Sequence, residues 1–244
     1  MDNFLTEMDY FCIMKTIKES DKEYICNIQA PCFQSLDHME LEMVKSSRTQ
    51  VLFKRGDTVA KQGAFACYIL FIVNGLCRQY IEGPGDKSHN LRIVQPGEFI
   101  GLSAVFNKNI YGYSVAAITD CHAFLVEKET IASVIEKNGR FGMSLIKRYC
   151  EQNSYLFSSL SSLLYKQMNG RMAETILYLD SLRESHPDIF HLLSRRDIAE
   201  FAAVSVESAV KLLKSFERDG IIELNEKEII IKEENSLAQL SLKG

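Results

Sequence analysis

Short apolar runs separated by glycine-containing turns fill the region from residue 50 to residue 126. The dipeptide Asn74-Gly75 lies between two of the runs, and Asn-Gly is typical of a tight β-hairpin turn. Several short strands at this spacing predict an antiparallel sandwich or barrel. The predicted strands are Gln50–Lys54, Thr58–Lys61, Tyr68–Val73, Leu76–Ile81, Leu91–Val94, Ser114–Ile118 and His122–Val126.

After Glu129 the pattern of apolar residues becomes helical, and no proline interrupts it between Arg140 and Gln167. Six residues there are spaced alternately by three and four: Ile146, Tyr149, Asn153, Leu156, Leu160 and Leu163. This spacing is typical of a coiled-coil seam, in which a polar Asn153 would fix the register of two strands. The pattern favours a dimerisation helix, and the alternative is an amphipathic helix that packs only on its own sheet.

The residues after Gly170 predict a compact unit of helices followed by a hairpin. A helix over Met172–Glu184 ends before a break at His186-Pro187, and two short helices follow. The hairpin consists of Ile221–Leu224 and Ile229–Lys232, joined by the polar turn 225–228. This is the element order of a winged helix-turn-helix.

The first of the two short helices begins with a capping box, because Asp197 follows Ser194 by three residues. A helix starting at Arg195 would carry Ile198, Ala199 and Ala202 inward. The small side chains of Ala199 and Ala203 would let a second helix cross it closely.

The second short helix is predicted over residues 206–218, with Ser205 as its N-cap and Gly220 at its C-terminus. One face is apolar and consists of Ala209, Leu212, Leu213 and Phe216. The other face is mixed and consists of Val206, Glu207, Val210, Lys211 and Lys214. Such a mixture can contact base edges in a major groove, and we assign Ser205 to the DNA-binding surface together with these five residues. The alternative is a pair of packed helices with a solvated face, since residues 194–220 contain five basic and five acidic residues.

Composition excludes several classes of protein. The chain of 244 residues is 46% hydrophobic with a net charge of −4, which is ordinary for a folded soluble protein. No apolar run approaches the ~20 residues of a membrane span. Enzyme motifs such as a P-loop or His-Glu-x-x-His are absent, and the five histidines have no ligand spacing, so neither an enzyme nor a metal site is predicted. The seven cysteines fit a reducing cytoplasm.

The segment from Leu193 to Ile222 resembles the helix-turn-helix of the cyclic-AMP receptor protein and fumarate-nitrate regulator (Crp/Fnr) family of bacterial transcription factors. Four upstream segments resemble the β-roll turns of that family in order and spacing: Phe53-Lys-Arg-Gly-Asp57, Gln62-Gly63, Tyr68-Ile-Leu-Phe-Ile-Val-Asn-Gly75 and Gln95-Pro-Gly-Glu-Phe-Ile-Gly101. The likeness extends from about Phe33 to Lys232. It implies an α+β protein with an N-terminal antiparallel β-roll sensor domain (1–137), a dimerisation helix (138–167) and a C-terminal winged helix-turn-helix (168–244).

In that family a Glu and a basic residue four positions later on the recognition helix contact base edges, which carries over to Glu207 and Lys211. The family usually has Arg at the second position. Lysine lacks the planar fork of arginine, so the resemblance does not define the target sequence.

The predicted effector pocket departs from the cyclic-nucleotide pattern of the family. Nucleotide binders carry Gly-Glu-Leu and then Arg-Ser, whereas this chain has Gly101-Leu102-Ser103 and Tyr113-Ser114. Both charged groups are missing, and a buried phosphate without its cation is costly. The dimer-helix positions that would meet adenine are Leu156 and Phe157, which are apolar. We therefore expect no response to cyclic AMP.

An iron-sulfur cluster is not expected either, because it requires four thiolates and only Cys26 and Cys32 have a matching spacing. Redox sensing by Cys26 and Cys32 stays open. Cys67, Cys77, Cys121 and Cys150 are interpreted as small buried apolar residues.

Together these patterns predict a cytoplasmic homodimer that regulates transcription by binding an inverted-repeat operator in double-stranded DNA. RNA polymerase is the expected protein partner, and no cofactor is predicted. Phosphate contacts are assigned to Arg195, Arg196, Lys214 and the wing residue Lys227. The competing hypothesis is a ligand-binding or redox-sensing regulatory module that acts through protein contacts.

Overall fold

The computed structural model describes residues 15–19, 21, 25, 31–85, 87–106 and 109–244. Their contacts divide the chain into two compact units. The first unit contains the described residues up to Gln79 together with Ile93–Gln152, and the second contains Tyr80–Arg92 together with Asn153–Gly244.

The strands of the roll form two antiparallel sheets, in the orders β1-β2-β9-β4-β7 and β3-β8-β5-β6. Their bounds are β1 Lys15–Ile17, β2 Arg48–Phe53, β3 Thr58–Ala60, β4 Tyr68–Asn74, β5 Cys77–Glu82, β6 Ser88–Val94, β7 Phe99–Ile100, β8 Ser114–Ala117 and β9 Cys121–Glu127. All seven predicted strands are present. The short β1 and β7 are additional, since two or three residues are too few to show a period.

Two apolar clusters form the core of the first unit. One is aromatic: Phe71 packs edge-on against Phe33, with ring centroids 5.1 Å apart, and meets Phe99 at 5.0 Å. The other cluster joins side chains of both sheets and includes Phe53, Ile72 and Val115. The hairpin predicted at Asn74-Gly75 is wrong, because β4 and β5 belong to different sheets and the turn passes from one sheet to the other. Gly75 has φ +87° in this turn, and a Cβ there would lie 2.3 Å from the Asp120 carbonyl oxygen. This turn therefore requires glycine.

Helices frame this unit. The helix α1 (His38–Ser46) has a capping box between Asp37 and Glu40. The helix α2 (Lys128–Lys137) follows β9, and α3 spans Gly139–Tyr165 as predicted from the seam pattern.

The second unit contains the helices α4 (Met168–Ser181), α5 (Ile189–Leu192), α6 (Arg195–Phe201), α7 (Val206–Arg218) and α8 (Glu234–Lys243). Its hairpin pairs β10 (Ile222–Asn225) with β11 (Glu228–Ile231) in antiparallel register. Met172, Ala173, Ile176 and Leu179 give α4 a fully buried face, and α8 packs on α4.

Several sequence expectations need correction in this unit. The helix α4 covers 168–181, four residues earlier at its start than predicted. A further short helix, α5, precedes the two predicted ones. The hairpin turn consists of Glu226 and Lys227 alone, because Asn225 pairs with Glu228. The helix α8 was not predicted, and Leu237 is its one fully buried apolar residue. Among the described residues, no helix is both long and apolar enough to cross a membrane.

Candidate nucleic-acid interface and effector region

The first helix of the helix-turn-helix starts where its capping box predicts. The Ser194 hydroxyl oxygen accepts a hydrogen bond from the Asp197 amide at 3.1 Å, and the Asp197 carboxylate accepts one from the Ser194 amide at 2.8 Å. Two backbone donors that the first turn of a helix leaves open are thus satisfied. Ile198, Ala199 and Ala202 are buried, as expected.

The turn between α6 and α7 has a conformation that the sequence does not reveal. Ala203 is exposed in this turn with φ +52°, so its expected role as a crossing residue is wrong. Arg171 of α4 holds the turn, since its guanidinium donates to the carbonyl oxygens of Ala202 at 2.9 Å and Ala203 at 3.3 Å. These bonds offset the strain of a positive φ in a residue other than glycine. Sequence reasoning missed Arg171, which carries no motif.

The outer face of α7 presents the predicted mixture of side chains. Ser205 caps the helix by accepting from the Ser208 amide at 3.1 Å. Ala209, Leu213 and Phe216 are buried, and Leu212 is half-buried. On the opposite face, Val206, Glu207, Lys211 and Lys214 are exposed and Val210 is half-buried. The five residues of the predicted mixed face therefore lie together on the solvent side of one capped helix, with the exposed Ser205 at its start.

The basic residues of this region differ in their freedom to contact a phosphate. Arg195 is half-buried, and its Nη2 donates to the Glu226 carbonyl oxygen in the wing turn at 2.7 Å. Burial lowers the pKa of its guanidinium. The Arg196 Nε pairs with the Glu200 carboxylate at 2.9 Å. Lys214 and Lys227 are both exposed.

A buried acidic residue fixes the base of the wing. Glu228 begins β11 and has a side chain only 14% exposed. It forms an ion pair with Arg183, and the His191 Nδ1 lies 2.7 Å from its carboxylate. The Arg183 guanidinium also lies 4.8 Å above the Phe190 ring centroid. The wing is therefore tied to α5 and to the turn that follows α4, which sequence reasoning did not predict.

Two residues of β6 bond to the backbone of α6 within the same unit. Asn90 donates to the Asp197 carbonyl oxygen at 3.0 Å, and the His89 Nδ1 lies 2.8 Å from the Glu200 carbonyl oxygen. Because a carbonyl oxygen only accepts, Nδ1 carries a proton here. Burial lowers the pKa of His89. Next to these bonds is a cavity of about 330 Å³, where Tyr155, Tyr178 and Phe201 form part of the wall.

Most of the predicted dimer seam on α3 is exposed to solvent. The exposed fractions are 56% for Ile146, 43% for Tyr149, 38% for Leu156, 52% for Leu160 and 38% for Leu163. Asn153 is half-buried. Large apolar side chains along one helix at this exposure are unusual for a monomeric surface.

Two tyrosines pack around the glycine of the predicted effector pocket. Gly101 has φ +81°, and a Cβ there would lie 2.6 Å from the Tyr111 ring. The Tyr113 hydroxyl oxygen accepts from the Gly101 amide at 3.0 Å, and the Tyr111 hydroxyl donates to the Tyr68 carbonyl oxygen at 2.9 Å. Burial raises the pKa of Tyr111 well above its ordinary value. Tyr111 was not singled out from the sequence.

The other predicted pocket residues do not form a charged site. Leu102 is buried, Ser103 is half-buried, and the buried Ser114 hydroxyl oxygen accepts from the Gln62 amide at 2.8 Å. Leu156 and Phe157 belong to the second unit and are exposed. Leu102 and Ser103 also line an apolar cavity of about 440 Å³ with Phe106, Ile135, Gly142, Leu145, Ile146 and Tyr149. None of these lining residues can neutralise a phosphate.

The cysteines follow the sequence interpretation only in part. Cys77 and Cys121 are buried, but Cys67 and Cys150 are exposed, so for these two the expectation is wrong. Cys12, Cys26 and the side chain of Cys32 lie outside the described residues. Within the described part of the chain, no three His, Cys, Asp or Glu residues are grouped as they would be around a metal ion.

An antiparallel roll, a long helix and a winged helix-turn-helix define a class of sensor-regulator proteins, and comparison with known proteins agrees. Residues 50–138 match the family model of the cyclic nucleotide-binding domain, and residues 170–240 match that of the Crp-like helix-turn-helix domain. The chain belongs to the Crp/Fnr family of transcription regulators, which are not enzymes.

Individual relatives are distant in sequence. A CRP-like cAMP-activated global transcriptional regulator of Mycobacterium tuberculosis is 22% identical over 215 residues, covering 86% of this chain and 96% of that protein. The cAMP-activated global regulator CRP of Salmonella typhimurium is 24% identical over 178 residues, covering 71% and 85%. The c-di-GMP-responsive regulator CLP of Xanthomonas campestris has a similar solved structure, with a TM-score of 0.70 and 19% identity over 80% of this chain and 99% of that one.

Proposed function

We propose that this regulator is a homodimer that binds an inverted-repeat operator, with α7 of each protomer in a major groove. The observation that carries the proposal is the outer face of α7, where Val206, Glu207 and Lys211 are exposed together on a helix whose start is capped. Glu can accept from the cytosine amino group, Lys can donate to guanine, and Val can contact the thymine methyl group. The exposed seam residues of α3 support a dimer, and a dimer explains why the operator would be a repeat.

The roll of this protein, we further propose, does not bind cyclic AMP. The pocket positions Leu102 and Tyr113 replace the charged groups that nucleotide binders use, and the Tyr113 hydroxyl oxygen already accepts from the Gly101 amide. A cyclic phosphate placed there would lose its water without gaining a cation, which is strongly unfavourable. The regulators of M. tuberculosis and S. typhimurium, named for activation by cAMP, would differ from this chain in effector.

The proposal is tested by selecting random duplex DNA with the purified protein in ~0.1 M salt, near physiological ionic strength. We expect an inverted repeat whose half-site centres lie about 34 Å apart. Cyclic AMP at millimolar concentration should leave the affinity for this operator unchanged. A rise in affinity on adding cyclic AMP would refute the second proposal alone.

Variants on α7 separate the proposed function from its competitor. Lys211→Ala should weaken binding to the selected operator about tenfold or more, since a good base contact contributes roughly 1–3 kcal/mol. The exposed Lys137 at the end of α2 supplies a control of equal charge, and Lys137→Ala should bind as the parent does. Equal affinities for both variants, or no enriched sequence, would favour a module that acts through protein contacts. RNA polymerase is the partner that we propose for the operator-bound dimer.

A further inference from the structure

Two buried thiols lie next to each other in the core of the roll. The Sγ atoms of Cys77 and Cys121 are 3.5 Å apart, although the residues are 44 positions apart in sequence. Both side chains are 0% exposed. Cys77 lies on β5 and Cys121 on β9, so the pair bridges the two sheets of the roll. The sequence interpretation treats each as an isolated apolar residue and does not predict this contact.

Hydrogen bonding gives the two sulfur atoms different roles. The Cys121 Sγ is 3.3 Å from the Leu76 carbonyl oxygen and 3.2 Å from the Thr119 carbonyl oxygen, which only accept. The Cys121 thiol therefore donates to a carbonyl, and Cys77 donates to the Cys121 sulfur. This bond raises the pKa of Cys77 and lowers the pKa of Cys121. A thiolate on Cys121 would keep the hydrogen bond from Cys77, and the thiolate is the reactive form of cysteine.

A thin layer of backbone separates the pair from solvent. Cys121 directly follows the exposed Asp120, and Cys77 follows the turn of Asn74 and Gly75. A Cβ at Gly75 would lie 2.7 Å from the Cys121 Sγ, so a glycine without a side chain covers the sulfur. The Leu76 amide bonds to the Thr119 hydroxyl at 2.8 Å, so a small oxidant reaches Cys121 in the folded roll only when this turn opens locally.

We propose that Cys77 and Cys121 form a reversible disulfide when the protein meets a peroxide. The Cys121 sulfur attacks one peroxide oxygen, the O–O bond breaks, and the leaving hydroxide takes the proton that the Cys121 thiol gave up and becomes water. Cys121 is then a sulfenic acid. The Cys77 sulfur attacks the Cys121 sulfur, the S–S bond forms, and the S–O bond breaks. The departing hydroxide takes the Cys77 proton. Two thiols are oxidised by two electrons, and the peroxide is reduced to two waters.

Only a small movement is needed to reach the product geometry. The sulfur atoms must approach from 3.5 Å to about 2.05 Å. The new bond would tie β5 to β9 and close a long loop of the chain, which restricts the unfolded state. We therefore expect oxidation to raise the thermal midpoint of the roll.

The test is a thiol map of the intact protein after exposure to hydrogen peroxide below its unfolding temperature. Remaining thiols are alkylated in denaturant, the chain is digested, and the peptides are weighed. We expect one peptide pair joined through Cys77 and Cys121, two hydrogen atoms lighter than the separate peptides and released by dithiothreitol. The thermal midpoint should rise by several degrees and return on reduction.

Two single variants serve as matched controls. Cys77→Ala should abolish the linked peptides and the rise in midpoint, whereas Cys67→Ala removes an exposed thiol and should retain both. The proposal is overturned if Cys77 and Cys121 of the parent protein are both recovered as alkylated thiols while the exposed Cys67 and Cys150 are oxidised. Linkage that occurs only above the unfolding midpoint would overturn it equally. The parent map decides the outcome even where a variant fails to fold.

Discussion

Arg195 illustrates how a residue type alone leaves a functional role open. A basic residue at the start of α6 is an obvious candidate for a phosphate contact, and the sequence assigns it that role. Its Nη2, however, donates to the Glu226 carbonyl oxygen, and its buried Nη1 has no hydrogen-bond partner among the described residues. A guanidinium engaged in this way can set the position of the wing turn and of Lys227 within it.

Salt dependence distinguishes a positioning role for Arg195 from a phosphate contact. Each neutralised phosphate contributes about 0.9 to the slope of log affinity against log salt, so losing one contact in each protomer of a dimer removes about 1.8. We expect Lys214→Ala to reduce the slope by about this amount. Arg195→Ala should weaken operator binding while the slope stays near that of the parent. The measurement is fluorescence anisotropy with the selected operator at several salt concentrations.

Two results for Arg195→Ala would contradict this expectation. A slope that falls as far in Arg195→Ala as in Lys214→Ala would mean that the guanidinium leaves the wing and contacts DNA. Unchanged affinity would mean that the wing needs no such support.

At the scale of elements, the seam pattern of α3 predicts that two chains associate through this helix. The exposed apolar residues Leu156, Leu160 and Leu163 would each bury their side chains in a two-stranded coiled coil. A carboxylate at the central position would have to be desolvated without a partner, which is costly. Leu160→Asp should therefore shift the protein from dimer to monomer in sedimentation experiments. Because a monomer can bind only one half-site, the affinity of the Leu160→Asp variant for the operator should fall at least a hundredfold.

A neighbouring residue provides the control for this prediction. Ser161 is exposed and follows Leu160 outside the seam, so Ser161→Asp adds the same charge to the same turn of α3. It should remain dimeric. If both variants stay dimeric, α3 is not the dimer interface, and an amphipathic helix that packs only on its own sheet becomes the better interpretation.

The sequence predicts an element well where apolar residues recur at a helical period or where a capping box marks the start of a helix. The seam of α3 and the capping box of α6 are local signals, and both elements lie where those signals place them. The short β7 and the helix α8 have too few buried residues to show a period. Contacts between residues far apart in the chain produce no signal in the local sequence. Arg171 reaches the turn at Ala203, and Tyr111 packs on Gly101, through tertiary geometry that no spacing encodes.

At the scale of the whole molecule, the two domains of this chain differ in how closely their functional positions resemble the family. The resemblance assigns base contacts to Glu207 and Lys211 of the helix-turn-helix, with Lys211 in place of the usual arginine. The roll has the glycine turns on which the resemblance rests, whereas Leu102 and Tyr113 stand where the resemblance implies charged pocket residues. Under the proposed function, this chain combines the fold of the family with a different effector chemistry.

The spacing of the two half-sites tests the molecule as an assembled dimer. Two recognition helices related by a two-fold axis contact one face of the duplex when their half-sites are one helical turn apart, about 10 base pairs. Inserting about five base pairs at the centre of the operator rotates one half-site by roughly half a turn, to the opposite face of the DNA. We expect the affinity for this operator to fall to that for a single half-site.

Substituting central base pairs without changing their number should lower the affinity much less, because such pairs act only through DNA deformability. Competition binding with the three duplexes checks this expectation. Retained affinity for the operator with the insertion would mean that the two half-sites are bound by independent protomers, in conflict with a rigid dimer joined through α3.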